Sequence, residues 1–281
     1  MREIKRYRQF ILYAGFFISF SAGLSAQEDK GRNYFQPLQD VFQADLVYPQ
    51  EKNEVQLTLI PEFQSSDDYY HFQFPVIVEY GLTDNWQLEL TWNTFQKRLS
   101  DSVPDVKGTG DMEIGTQYSF MNIGSSNFHT AVGFELGIPL VDEDKGLGEE
   151  QWEYEPYISL ALDIPTLNNL QLFAQAGVGF VSEKKDETET SEGPDGNEFN
   201  INGGFFIPFN HVIVTSECIW LGGFENNSNE NQLYFTPGIV FNLPGSWEAG
   251  LGIPFGLNDQ SDTFRVMALL TYEFTLCEDK E

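Results

Sequence analysis

YYHFQFPVIVEY, GLTDN and WQLELTWNTF follow one another over residues 69–95. In the third piece Trp86, Leu88, Leu90 and Trp92 take every other position, and Gln87, Glu89, Thr91 and Asn93 fill the gaps. In the first, Tyr70, Phe72, Phe74, Val76, Val78 and Tyr80 share one face, against His71, Gln73 and Glu79 on the other. A period of two places alternate side chains on opposite faces of a strand. Each arm matches the length of a bilayer-crossing strand, roughly 9 to 11 residues. Its apolar face carries aromatics toward the ends, where a membrane interface favours them. The stretch therefore reads as two neighbouring staves of a transmembrane β-barrel joined by a tight turn.

The rest of the chain extends the pattern. Strand-like stretches are expected near 54–63, 69–80, 86–96, 111–120, 127–138 and 151–163. Others follow near 169–181, 198–207, 211–223, 231–242, 246–256 and 263–276, about twelve in all. The even number suits a single-chain bacterial barrel. Short connections (81–85, 121–126, 164–169, 208–210, 243–246) alternate with mostly longer ones (97–110, 139–150, 182–197, 224–230, 257–262, after a short first one at 64–68). Outer-membrane barrels have short periplasmic turns and longer outward loops. The expected fold is all-β: an antiparallel, up-and-down transmembrane barrel with both termini in the periplasm.

Three features fit this pattern less well. Pro75, Pro156 and Pro237 fall inside expected strands, where proline cannot donate to a ladder. Ile213 shares a face with Glu217, and the chain runs past Phe274, whereas many such barrels end on an aromatic residue.

Residues 1–26 are set apart as a secretory signal. Arg2, Lys5, Arg6 and Arg8 precede the apolar run Phe10–Phe20, and SAGLSA ends at Ala26. Residues 27–53 are polar and irregular and read as a periplasmic lead-in to the barrel at 54–281. If they form a short helix, Leu38, Val41, Phe42 and Leu46 line one face of it, and a plug over the periplasmic mouth is the second reading.

Composition narrows the function. The formal charge of −28 becomes about −31 once the signal's four basic residues and one acidic residue are removed. So acidic a surface repels nucleic acid, which is excluded as a partner. No apolar run reaches the roughly 18 residues of a spanning helix. The two cysteines, Cys218 and Cys277, are far apart in sequence, and Cys218 reads as an unpaired apolar residue in a strand.

The expected inward face carries Glu79, Glu89, Glu113, Glu135, Glu155, Glu217, Glu248 and Glu273, with Arg265 as its basic residue. Charged rings in a pore set ion selectivity, so these nine are the candidate pore-lining residues of a cation-favouring lumen. The bland alternative is a narrow lumen whose carboxylates pair with Arg265, hydroxyls and water. The segments 139–155 and 182–198 are strongly acidic, from Asp142 to Glu155 and from Glu183 to Glu198. Carboxylate clusters can hold divalent cations through oxygen ligands. Neither segment has EF-hand spacing, so solvated loops are the plainer reading. No cofactor is implied.

A hydrolase would need a serine activated by an oriented histidine. His71, His129 and His211 sit in YYHFQ, NFHTA and FNHVIV, with no such cluster around them, so no enzyme is expected. The glycines of GVGF and GLGIPFG lack the following helix of a phosphate loop.

FPVIVEYGLTDNWQLEL at 74–90 and GTGDMEIGTQYSF at 108–120 resemble the outer-membrane barrel family of the meta-pathway of phenol degradation. The resemblance implies a Gram-negative outer-membrane channel, its partners being lipid and a small aromatic or apolar solute. The sequence alone leaves passive conduction, a sealed structural or adhesion barrel, a soluble periplasmic carrier and a lipid hydrolase as rivals, in that order.

Overall fold

A computed structural model describes residues 34–38, 40–66, 69–100, 104–141, 147–148, 151–182, 197–224 and 231–276. The signal segment, Cys277, residues 142–146 and 149–150 of the first acidic segment and 183–196 of the second lie outside the described residues.

The strands are β1 (Glu54–Leu59), β2 (Glu62–Ser65), β3 (Tyr69–Thr83), β4 (Trp86–Ser100), β5 (Val106–Gly108), β6 (Met112–Phe120), β7 (Phe128–Ile138) and β8 (Glu153–Ile164). There follow β9 (Leu170–Val181), β10 (Glu198–Phe209), β11 (Val212–Gly223), β12 (Gln232–Leu243), β13 (Trp247–Gly252), β14 (Phe255–Gly256) and β15 (Phe264–Thr275). β1 with β2, β5 with β6 and β13 with β14 are single staves interrupted once, giving twelve. Neighbours in sequence pair antiparallel, and β1 and β2 pair with both β3 and β15, which closes the barrel. Closure leaves no sheet edge unpaired in lipid.

Turn chemistry fixes the register of the short connections. Asn168 and Asn169 (φ 56° and 52°) and Gly245 and Ser246 (φ 77° and 63°) adopt the left-handed conformation at successive positions. Paired positive φ values match the right-handed twist of the flanking strands.

The alternating pattern sorts as expected. Leu88, Leu90, Trp92, Ile114, Val132, Ile158 and Leu251 face outward and are exposed, while Gln87, Gln117, Ser159, Gln175, Asn202, Thr236 and Thr271 are buried inside. Outward aromatics gather near both rims. Trp86, Phe120, Phe128, Phe209 and Trp247 lie near the short-turn ends of their strands, with Tyr70, Tyr154, Phe180 and Trp220 toward the other.

The three strand prolines sit where the ladder breaks. Pro75 lies at the β3–β4 bulge, and Pro156 faces a gap in the β8–β9 pairing. Pro237 faces the interruption between β13 and β14. Each therefore occupies a position where no ladder donor is required.

The described residues of 34–53 lie inside the barrel: Phe42 and Gln43 bond to Glu217 on β11, Asp45 bonds to Gln175 on β9, and the chain then returns to β1. Leu38, Val41, Phe42, Ala44, Leu46, Val47 and Tyr48 are buried against Ala131, Ala161, Phe173, Phe206, Ile213, Val240 and Leu269. No helix forms there among the described residues. This packing also explains why Ile213 and Glu217 share a face. Ile213 meets the segment's apolar side chains and Glu217 its backbone N–H groups.

Candidate functional site

The lumen wall supplies what an irregular backbone needs in order to be buried. Each polar backbone group taken out of water requires a partner, and the wall provides several. Glu217 on β11 accepts from Phe42 N and Gln43 N, each at 3.0 Å. Gln175 on β9 accepts from Asp45 N at 3.1 Å and donates to the Asp45 carboxylate. Gln117 donates to Leu46 O at 3.0 Å, Ser159 to Asp45 O at 2.9 Å and Asn242 to Pro37 O at 3.0 Å. Gln87 accepts from Gln50 N at 2.9 Å. Tyr48 donates to Asp163, which also partners His129, and the Tyr48 ring stacks on that of Tyr34.

Phe42 is a buried apolar anchor of the segment. A Cβ on Gly238 or Gly252 would lie 2.4 or 2.7 Å from its ring, and one on Gly250 would lie 3.1 Å away. Three inward glycines thus form a cradle that a side chain would fill.

A second feature emerges from strand register. Glu273 on β15 faces Gln56 on β1, which faces Glu79 on β3, which faces Glu89 on β4. Glu89 faces Gly115 on β6, Gly115 faces Glu135 on β7, and Glu135 faces Glu155 on β8. Seven adjacent strands therefore carry one row of inward residues, five of them glutamates. Glu79 accepts from Gln87 at 2.8 Å and from Gln56, Glu89 accepts from Thr91 at 2.9 Å, and Glu155 accepts from Asn200. Among the described residues no lysine or arginine lies within ion-pair reach of Glu79, Glu89, Glu135 or Glu155; Arg265 pairs elsewhere.

The nine expected lining residues thus separate into groups. Glu79, Glu89, Glu135, Glu155 and Glu273 form the row, and Glu217 binds the inward segment. Glu248, buried on β13, faces Thr271 beside the row. Glu113 is exposed on β6 and lines, with Gln73, Thr91, Asn93, Gln96 and Glu153, a cavity of about 490 Å³ in the lumen.

Arg265 is not a free lining charge. It bonds Asp262 at 2.7 Å and lies 3.6 Å from Glu62, and its guanidinium stacks 4.4 Å from the Tyr234 ring centre. It ties the outer end of β15 to β2 and β12.

The amides that hold the segment were not singled out by sequence reasoning. Their signal was an inward glutamine recurring on strand after strand at Gln56, Gln87, Gln117, Gln171 and Gln175.

The described residues bring together no group of three or more His, Cys, Asp or Glu able to hold a metal. The acidic-loop expectation for divalent cations falls largely on residues outside the described set. His129 is fully buried; it accepts from Asn122 N and pairs with Asp163, and neither partner is the serine that the hydrolase reading requires.

A closed twelve-stave barrel with an apolar, aromatic-rimmed exterior and a polar interior defines a transmembrane β-barrel of the outer-membrane type. Residues 69–274 match the family described as "Putative MetA-pathway of phenol degradation", and the chain belongs to that family. Its fold is similar to that of an outer-membrane channel from Pseudomonas putida F1: TM-score 0.63, 12% identity, covering 84% of this chain and 100% of that one. The KdgM porin, solved with a disordered oligogalacturonate, gives TM-score 0.53 at 11% identity over 78% of this chain and 99% of that one. The NanC porin gives 0.51 at 9% identity over 79% and 100%. No curated protein sequence matches the chain.

Proposed function

We propose that the chain is a channel through which small solutes diffuse passively across the outer membrane, with a lumen narrowed at rest by residues 34–53 and favouring cations. The glutamate row carries this reading. Side chains directly opposite on antiparallel strands have Cβ atoms about 5 Å apart. Two unit charges at that separation repel by about 3 kcal/mol at an effective dielectric constant near 20. Glu79 opposite Glu89, and Glu135 opposite Glu155, are two such pairs. With no basic side chain among the described residues to offset these pairs, a passing cation relieves the repulsion and an anion adds to it. Solutes are selected by width and by this field, and no energy source enters the mechanism.

An aromatic or apolar solute, the class the resemblance implies, would meet Phe173 and Phe206 where the inward segment now packs. That segment also supports a second reading, a sealed structural barrel.

Reversal potentials of the purified full chain in planar bilayers, under a potassium chloride gradient, test the proposal. The expected result is stable current steps with a potential toward that of potassium. A potential toward that of chloride contradicts the cation preference, and an absence of steps supports the sealed barrel.

A further inference from the structure

Basic side chains are scarce in the barrel. Among the described residues they are Lys52, Lys97, Arg98, Lys107 and Arg265. Lys52 lies at the short-turn end, beside Asp84. Arg98 points inward, 4.7 Å from the Tyr69 ring centre, and Arg265 is held by Asp262 and Glu62. Lys97 on β4 and Lys107 on β5 differ from these. Both are exposed on the outer face, and register sets them directly opposite each other. Such a pair has Cβ atoms about 5 Å apart, and like charges there destabilise a sheet. Neither lysine forms an ion pair among the described residues, although Asp105 lies two positions from Lys107. In a chain with 43 acidic residues and 15 basic ones, this repulsion is left without an internal anion.

Their height on the barrel says where an anion would come from. The outward side chains of β4 from Trp86 through Leu88, Leu90 and Trp92 to Phe95 are apolar and exposed. Nine strand steps of about 3.3 Å, tilted by about 40°, rise about 23 Å, close to the apolar band of about 25 Å. Lys97 follows two positions later, at headgroup level on the long-connection side, which faces outward in outer-membrane barrels. An aromatic patch adjoins it on the lipid face. Phe72 lies directly opposite Lys97, and Phe63 lies opposite Phe72. The Phe72 and Phe95 rings are 6.2 Å apart, and those of Phe63 and Tyr70 stack at 6.0 Å.

We infer that Lys97 and Lys107 together bind the headgroup phosphate of an outer-leaflet lipid whose acyl chains lie along Phe63, Tyr70, Phe72 and Phe95. Each ammonium offers three donors and a compact charge, and one phosphate between the two offsets their repulsion. The lysine stems lie along the apolar surface while their heads stay at the interface.

The test needs no current, so it stands apart from the channel reading. Dioleoyl phosphatidic acid is titrated into the purified full chain in non-ionic detergent, and bound lipid is counted by native mass spectrometry. Dioleoylglycerol, the same chains without the phosphate, is the comparison. A lysine near a membrane surface contributes about a fivefold factor to anionic-lipid binding. Lys97→Gln with Lys107→Gln should therefore weaken phosphatidic acid binding about thirtyfold and leave dioleoylglycerol binding unchanged. Heat-modifiable migration checks that the variant is a folded barrel; if it is not, either single substitution should show the fivefold loss. Lys52→Gln, which removes the same charge at the other end, should have no effect. Inorganic phosphate at equal concentration should not displace the lipid. Undiminished phosphatidic acid binding in the folded glutamine variant overturns the assignment. So does equal affinity of the unsubstituted chain for the two lipids, an equal loss in Lys52→Gln, or displacement by inorganic phosphate.

Discussion

Phe42→Ala is the most direct perturbation of the seated segment. The ring is 4% exposed and rests on the backbones of Gly238, Gly250 and Gly252. Removing a buried phenyl ring costs about 3–5 kcal/mol where the surroundings cannot collapse. Glycines already pressed against the ring, in strands paired on both sides, have little freedom to close the gap. Taking the lower end, seating weakens by about 3 kcal/mol, roughly a 150-fold shift toward the released segment. The barrel's own ladders lose nothing. Single-channel recording should therefore show longer or more frequent large-conductance steps than the unsubstituted chain, while circular dichroism and heat-modifiable migration stay those of a folded barrel. Unchanged conductance in a folded variant would refute the claim that this anchor holds the segment in the path.

Three further substitutions test other parts of the account. Glu89→Gln removes one charge from the middle of the glutamate row, and the reversal potential should move toward zero with the fold intact; an unchanged potential would place the row outside the ion path. Leu90→Arg puts a charge on the lipid face and should cost about 2–4 kcal/mol in denaturant unfolding from vesicles, whereas a neutral effect would mean that Leu90 does not face acyl chains. Arg265→Met leaves Asp262 and Glu62, 7% and 5% exposed, without their cation, a loss of about 3–5 kcal/mol readable as a lowered unfolding temperature; an unchanged temperature would show that the cluster does not brace β15.

The barrel was legible in the sequence because its wall obeys a local rule. The period of two from Tyr70 to Trp92 assigns each side chain to lipid or lumen without knowledge of any distant partner. Asn168–Asn169 and Gly245 likewise announce tight turns through residue types that accept positive φ. The alternation of short and long connections gave the topology.

The inward segment obeys no such rule. Phe42 and Gln43 are held by Glu217, about 175 positions away, and Asn242 reaches back to Pro37 across 205 positions. No periodicity within residues 34–53 encodes contacts of that kind. Arg265 shows the same limit: its face was readable, but its engagement by Asp262, Glu62 and Tyr234 depends on how β2, β12 and β15 come together. The glutamate row is intermediate. Every member was visible as an inward residue, yet their alignment across seven strands exists only once the register is known.

The central claim is that a polar path runs through the barrel and that residues 34–53 narrow it. Conductance of the full chain, compared with that of a chain lacking residues 34–48, tests this most directly. The account predicts a clear increase on deletion, with cation preference retained. Equal, near-zero conductance in both proteins, with the barrel folded, would contradict it.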